Sequence, residues 1–484
     1  MNAKPTEFDF DVIILGGGSA GYAAARTAHA AGAKAAVIES GPEVGGLCIL
    51  RGCMPTKALL YAAEVRHLAR QGKVWGLQPG PIPFDWSSVL ARKNAQIKDF
   101  ADYRQQQLED GRFQFIRAEA RFVDSHRVAL SNGRTVSARS FIICTGSEVA
   151  TSPLPSLAQS GYITSDEALK LKNPPKSLIV LGGGAVGVEF AQFFARFDVA
   201  VTLVQRSEHL LRDFDEDCAS VIADVFRREG IELHTATRLR DARREGDEKV
   251  VTFEQGGRTS EVRAEEILVA LGRSPRTASL ALENAGVTTK GPRILTDDYM
   301  RTSAPHIYAA GDCTSPHEIV HLAVQQGETA AHNIVHPERP RRMDYRLLVT
   351  VVFTDPQIGH VGLTQKEADS KGIAYLAASH PFNDHGKSLI MEARDGFVKL
   401  LADPATGEIL GGTCVGPSGG ELIHEIIAAM AKRMTVHELA AMPHYHPTLA
   451  EIWTYPAEEL AGRAEAPGEG GPAGSLPRNR TCRQ

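Results

Sequence analysis

No stretch of about 18 uncharged apolar residues occurs in this sequence, so nothing in it reads as a membrane-spanning helix; the Ala-rich run after Gly21 is broken by Arg26, His29 and Lys34. Nor are basic residues in excess. Against 53 Lys and Arg stand 58 Asp and Glu, a net charge of −5, and no global positive field draws in nucleic acid or anionic lipid. The first ten residues have no basic segment and carry Glu7 and Asp9, so no export or organelle signal is expected. Cysteine is scarce. The seven, at 48, 53, 144, 218, 313, 414 and 482, form an odd, scattered set that excludes a secreted disulfide framework and points to a reducing cytoplasm. The 45 glycines follow no Gly-X-Y period, which excludes collagen, and 43% apolar with 23% charged residues excludes a mainly disordered chain. A length of 484 residues implies three or so domains at about 100–200 residues each.

What the chain does contain is a long-range repeat. An apolar run over 11–15 leads into Gly16-Gly17-Gly18-Ser19-Ala20-Gly21, a helical stretch and a second strand ending at Glu39. The run over 177–181 leads into Gly182-Gly183-Gly184-Ala185-Val186-Gly187, a helical stretch and a strand ending at Gln205, in the same register throughout. One GxGxxG is weak evidence. Two, each placed strand–turn–helix–strand, predict two dinucleotide sites: the first glycine turns the chain, the second lets the backbone approach a pyrophosphate, and the third allows close helix–strand packing. The helix N-terminus then offers free N–H groups and a positive dipole end to the phosphates. Glu39 stands where a carboxylate accepts from a ribose 2′-OH. Its counterpart is neutral Gln205, followed by Arg206 and then Arg212, two guanidiniums suited to a 2′-phosphate, so NADP(H) is favoured over NAD(H) at the second site.

Between the copies runs Gly46-Leu47-Cys48-Ile49-Leu50-Arg51-Gly52-Cys53-Met54-Pro55-Thr56-Lys57. A cysteine pair at this spacing comes within disulfide reach only if the segment coils into a helical turn. Pro55 suits a helix start, and a helix N-terminus with Arg51 and Lys57 nearby should depress the thiol pKa values. Zinc would need a second cysteine knuckle, and none exists. His424-Glu425, His317 and His321 complete no ligand set.

The segment around Cys48 and Cys53 resembles the active-site disulfide of the flavin-dependent pyridine nucleotide–disulfide oxidoreductases, a family that includes dihydrolipoyl dehydrogenase, glutathione reductase and mercuric reductase. The resemblance spans about residues 8–460. CTGS at 144–147, ALGRSPRT at 270–277, TSAPHIYAAGDC at 302–313 and VVFTDPQIGHVGLT at 351–364 fall where the family has its motifs, and His444-Tyr445-His446-Pro447-Thr448-Leu449-Ala450-Glu451 resembles its HxHPTxxE signature. It implies an α/β fold with two Rossmann-like dinucleotide-binding domains and a C-terminal α+β dimerisation domain. The expected divisions are an FAD domain in two parts (1–150 and 273–345), an NAD(P) domain (151–272), a dimerisation domain (346–460) and a disordered tail (461–484).

It further implies Cys53 beside the flavin, Cys48 as interchange thiol, and Lys57 and Glu189 next to the flavin ring. FAD contacts would come from Gly16, Gly18, Gly21, Glu39, Gly46, Gly146, Asp312 and Ala323; nicotinamide contacts would come from Gly182, Gly184, Gly187, Glu189, Arg206, Arg212 and Gly272. His446 and Glu451 would reach the cysteines of the other subunit of a homodimer, and the substrate would be a small disulfide or dithiol, with no nucleic acid or membrane partner. Ile49-Leu50-Arg51 replaces the Asn-containing stretch usual between the cysteines, and Arg276 stands where Asn is usual, which leaves the substrate open. Mercuric reductases usually carry a C-terminal cysteine pair, whereas here only Cys482 is present, which counts against mercury. An NAD(P)H oxidase, quinone reductase or transhydrogenase on the same scaffold is the alternative, and a non-catalytic flavoprotein a remoter one.

Overall fold

The computed structural model describes residues 8–152 and 154–464, which fall into two compact units, one ending at Asp355 and the other starting at Pro356. The expectation of a disordered tail falls almost wholly beyond Ala464, and Cys482 with it, outside the described residues. Among the described residues no helix is long and apolar enough to cross a membrane.

The first unit is built on two parallel sheets, as the doubled strand–turn–helix pattern predicts. In one, the strands Gln114–Arg117, Ala35–Glu39 (β2), Phe10–Leu15 (β1), Thr135–Ile143 and Ile307–Ala309 lie side by side in parallel. Val12, Ile13 and Ile14 are fully buried although neighbours point to opposite faces, because such a sheet is covered on both sides. Helix α1 (Ser19–Ala30) covers one face with its alanines, which let it sit close to the sheet. The strand Ile307–Ala309 joins the first sheet only after the chain has built the second, whose order is Glu232–His234, Ala200–Val204, Ser177–Leu181 and Glu266–Val269, again all parallel. An antiparallel ribbon over 237–264 is attached to it.

The second unit is α+β. Four antiparallel strands, Gln357–Gly362, Ile409–Gly416, Phe397–Ala402 and Leu376–Pro381, form its sheet. Helices Gly419–Ala431, Val436–Ala441 and Thr454–Ala461 complete it; Thr435 and Glu438 form a reciprocal capping box at the start of the second. Trp453 is fully buried, its indole N–H donating to the Leu422 carbonyl at 3.2 Å.

Both glycine-rich turns have the same internal contact. A Cβ on Gly21 would lie 1.8 Å from the Gly16 carbonyl oxygen, and one on Gly187 would lie 1.8 Å from that of Gly182. Gly16 and Gly182 also sit at φ +106° and +109°, where a side chain is strained. Gly21→Ala is therefore expected to cost about 1–3 kcal/mol by overpacking and to lower the flavin content of the purified protein, read from its visible absorbance and its Tm.

Candidate active site

Helix α2 (Gly46–Leu50) and helix α3 (Cys53–Gln71) carry the cysteine pair, so the segment coils as its spacing requires. Gly46 makes this possible. At φ +66° its Cα faces Gly18 so closely that a Cβ would lie 2.8 Å from the Gly18 Cα, and the cysteine segment is thereby laid directly on the first glycine turn. Cys53 opens α3, and Pro55 sits in its first turn, where a missing N–H costs nothing.

The half-buried Cys48 and Cys53 stand as a hydrogen-bonded dithiol with opposite tendencies. The bond from the Cys48 thiol, helped by the nearby Lys57 charge, pulls Cys53 down to about 7 against the cost of burial. Donating that bond, together with burial, pushes Cys48 well above the usual thiol range. Depression of both thiols, expected from sequence, thus holds for Cys53 alone, because one proton is shared and burial penalises a second thiolate. Arg51 Nε lies 3.8 Å from Asp166.

Behind Cys53, Lys57 Nζ lies 2.8 and 3.0 Å from the two carboxylate oxygens of Glu189, which is 3% exposed. The Phe353 backbone N–H donates to the same carboxylate at 3.0 Å, and the Phe353 ring lies 4.6 Å from the ammonium. Glu189 belongs to the helix Ala185–Arg196 that follows the second glycine turn.

The cysteines face a cleft of about 440 Å³ lined by Gly16, Gly18, Glu39, Gly46, Gly146, Asp312 and Ala323. Its donors and acceptors are set before any ligand arrives. Glu39 accepts from the backbone N–H groups of Gly17 (2.7 Å) and Gly41 (2.8 Å). Asp312 accepts from the Ser147 hydroxyl at 2.7 Å, and Arg273 Nε braces that hydroxyl at 2.9 Å. Gly146, at φ +70°, turns the chain beside it. A glycine-lined wall, a helix N-terminus and two oriented carboxylates fit a dinucleotide such as FAD. Ser147, Arg273 and Glu318 line the same cleft; burial, then the neighbouring Asp312, raises the Glu318 carboxyl. Sequence reading gave no role to Ser147 and Arg273, although both lie in the quoted segments 144–147 and 270–277, and it missed Glu318, which no motif marks.

At the second turn Gly184 caps the helix Ala185–Arg196, and buried Gln205 accepts from the Gly183 N–H at 3.0 Å. Arg206 and Arg212 are both exposed, the latter 3.6 Å from Asp213. Gly272, at φ +117°, accepts from the Ala150 N–H just beyond the strand Glu266–Val269.

In the C-terminal unit, His446 Nδ1 lies 2.9 Å from Glu451 Oε2; the histidine is 78% exposed and the glutamate 12%. His444 is turned to Glu425, at 2.6 Å.

The family profile described as pyridine nucleotide-disulphide oxidoreductase matches residues 10–327, and that of the family's dimerisation domain matches 348–457. A mercuric reductase of Streptomyces lividans is 36% identical over 451 residues (91% of this chain, 94% of the relative). A dihydrolipoyl dehydrogenase of Thermus scotoductus is 35% identical over 460 residues, covering 94% of this chain and 98% of the relative. Among solved structures, LpdA from Mycobacterium tuberculosis superposes with a TM-score of 0.84 at 30% identity, covering 93% of this chain and 99% of that one. The chain belongs to the pyridine nucleotide–disulphide oxidoreductase family. Within it, this is an FAD-binding flavoprotein disulfide oxidoreductase of the lipoamide dehydrogenase and mercuric reductase type, acting on sulfur groups with NAD(P)(H) as the other partner.

Lys57→Met removes a charge that favours the Cys53 thiolate. The pKa of Cys53 is expected to rise, and its alkylation by iodoacetamide at pH 7 in the reduced protein should slow about three- to tenfold.

Proposed function

We propose that this chain exchanges electron pairs between a nicotinamide and a small disulfide or dithiol through Cys48 and Cys53, with Lys57, His446 and Glu451 as the supporting groups. The observation that carries this reading is the placement of the cysteine pair: Cys48 and Cys53 both face the cleft, with the Lys57–Glu189 ion pair beside Cys53. FAD would be held by Gly16, Gly18, Gly21, Glu39, Gly46, Gly146, Asp312 and Ala323, and when bound it supplies two-electron exchange between nicotinamide and the cysteine pair. Its domain would be the two stretches 1–150 and 273–345, with 151–272 holding the nicotinamide nucleotide and 346–460 the dimer contact.

From the reduced pair, Cys48 yields its proton to His446 of the other subunit and attacks one sulfur of the substrate. The substrate S–S bond breaks, and the leaving thiolate takes the proton back from the imidazolium, which Glu451 steadies. Cys53 then attacks Cys48 Sγ. The second substrate sulfur departs as a thiolate and takes a proton from water, two electrons have passed to the substrate, and the pair is left as a disulfide. Run backwards, the same steps oxidise a dithiol such as dihydrolipoamide.

The neutral Gln205 with exposed Arg206 and Arg212 supports NADP(H) as the preferred nicotinamide, with Gly182, Gly184, Gly187, Glu189 and Gly272 forming its turn. The scattered cysteines support a reducing cytoplasm. A second reading has equal support from the comparisons: relatives named mercuric reductases match as well as dihydrolipoyl dehydrogenases. Cys48 and Cys53 would then take mercuric ion as substrate; Cys482, the basis of the expectation against mercury, lies outside the described residues.

Arg206→Ala and Arg212→Ala should each raise KM for NADPH about tenfold and leave that for NADH unchanged; equal effects on both nucleotides would refute the clamp. Cys48→Ala should abolish turnover with lipoamide, glutathione disulfide and mercuric ion alike, and the acceptor that wild type turns over fastest assigns the substrate. In a mixture of Cys48→Ala and His446→Ala chains, each mixed dimer keeps one intact site, so activity should return on mixing; no return would sink the shared site.

A further inference from the structure

One buried histidine of the C-terminal unit belongs to none of the sequence motifs. His385 follows the turn Phe382–Asp384 and caps the short helix Gly386–Ile390, and its side chain is 0% exposed. Its Nδ1 lies 2.7 Å from the hydroxyl of Ser388, itself wholly buried. A hydroxyl donating to Nδ1 places the ring proton on Nε2. That nitrogen is buried without a close hydrogen-bond partner, and Glu451 Oε1 lies in front of it at 3.5 Å. The same carboxylate accepts from His446 Nδ1, Oε2 at 2.9 Å and Oε1 at 3.2 Å. Glu451 is therefore shared by two imidazoles, one buried and one 78% exposed.

Among the described residues no other ion pair is made by His385. The Tyr455 and Phe382 rings meet it edge-on at 6.4 and 6.3 Å, and His380 is held by its stack on Tyr455 and by the Asp384 carbonyl. Burial, against the pull of Glu451 and with His380 and His446 nearby, holds His385 below the usual histidine range, so it serves as a neutral donor at working pH.

We propose that His385 is a positioning residue: its Nε2–H steadies the Glu451 carboxylate in the orientation that accepts the His446 Nδ1–H and leaves the outer edge of the His446 ring to carry protons. The proposal rests on the reading of His446 as the proton carrier of the thiol exchange. A carboxylate held from one side swings about its terminal torsion; a second donor removes the swing, in the way outer hydrogen bonds orient ligands in metal sites. It also takes up part of the carboxylate's accepting capacity, so removing it leaves the whole carboxylate to His446 Nδ1.

The test compares full-length His385→Phe, which removes the donor, with His385→Gln, whose amide N–H reaches the place of Nε2. The His446 pKa is followed by NMR of 13C-histidine-labelled protein, its resonance assigned with His446→Asn. In His385→Phe it is expected to rise by several tenths of a unit, with kcat for disulfide turnover falling about tenfold and flavin reduction by NADPH unchanged; His385→Gln stays near wild type in both. A His446 pKa that does not move in His385→Phe, or a Gln variant that behaves as the Phe variant, overturns the proposal. If His446→Asn keeps full disulfide turnover, the reading of His446 fails instead, while the NMR comparison still decides the role of His385.

Discussion

The ion pair between Lys57 and Glu189 is the contact on which the first unit is organised. Glu189 is nearly sealed from water, and an unpaired carboxylate there would bear the full desolvation cost, so it is satisfied three times over by Lys57 Nζ and the Phe353 N–H. Lys57 stands one turn into the helix that Cys53 opens, and Glu189 one turn into the helix that the second glycine turn opens. The pair thus ties the redox thiol to the nucleotide-binding half. The seam continues along both helices: buried Arg66 reaches Asp198 at 2.6 Å, and Arg196 joins Glu229 and Asp355 at 2.6 and 2.7 Å. Breaking one partner of such a buried network leaves an uncompensated charge, which is costlier than the pair is worth.

The cysteine pair shows how burial creates an asymmetry that chemistry can use. Two thiols in one half-buried place cannot both ionise, since the second thiolate faces both the first charge and the loss of water. The proton stays on Cys48 and the charge on Cys53, which is nearer in effect to Lys57. In an exchange that starts at Cys48, a pair so divided keeps Cys53 ready for the second attack and leaves Cys48 in need of a base for the first.

The two glycine turns show which part of a nucleotide motif is architecture and which is free to select a ligand. Glu39 accepts from the Gly17 N–H, and Gln205 accepts from the Gly183 N–H, in the same place of each turn. Because a neutral amide holds the second turn as well as a carboxylate holds the first, the fold does not require the charge. The choice between Glu39 and Gln205 is therefore one that the turn itself leaves open.

Much of this was legible in the sequence because its signals are local. Glycines at fixed offsets after buried strands state both Rossmann-like turns, since a Cβ at Gly21 or Gly187 would meet a carbonyl oxygen within the same turn. The spacing of Cys48 and Cys53 likewise requires a coil, because an extended segment would hold the sulfurs beyond disulfide reach. What only the tertiary structure decided depends on groups far apart along the chain. It placed Ser147 and Arg273 behind Asp312, brought the Phe353 N–H to Glu189, and set His385 against Glu451 across a fold of the C-terminal unit. It also decided which cysteine keeps the proton. Spacing gives both thiols the same helix-start environment, while burial and the shared hydrogen bond, which exist only once the chain has packed, separate them.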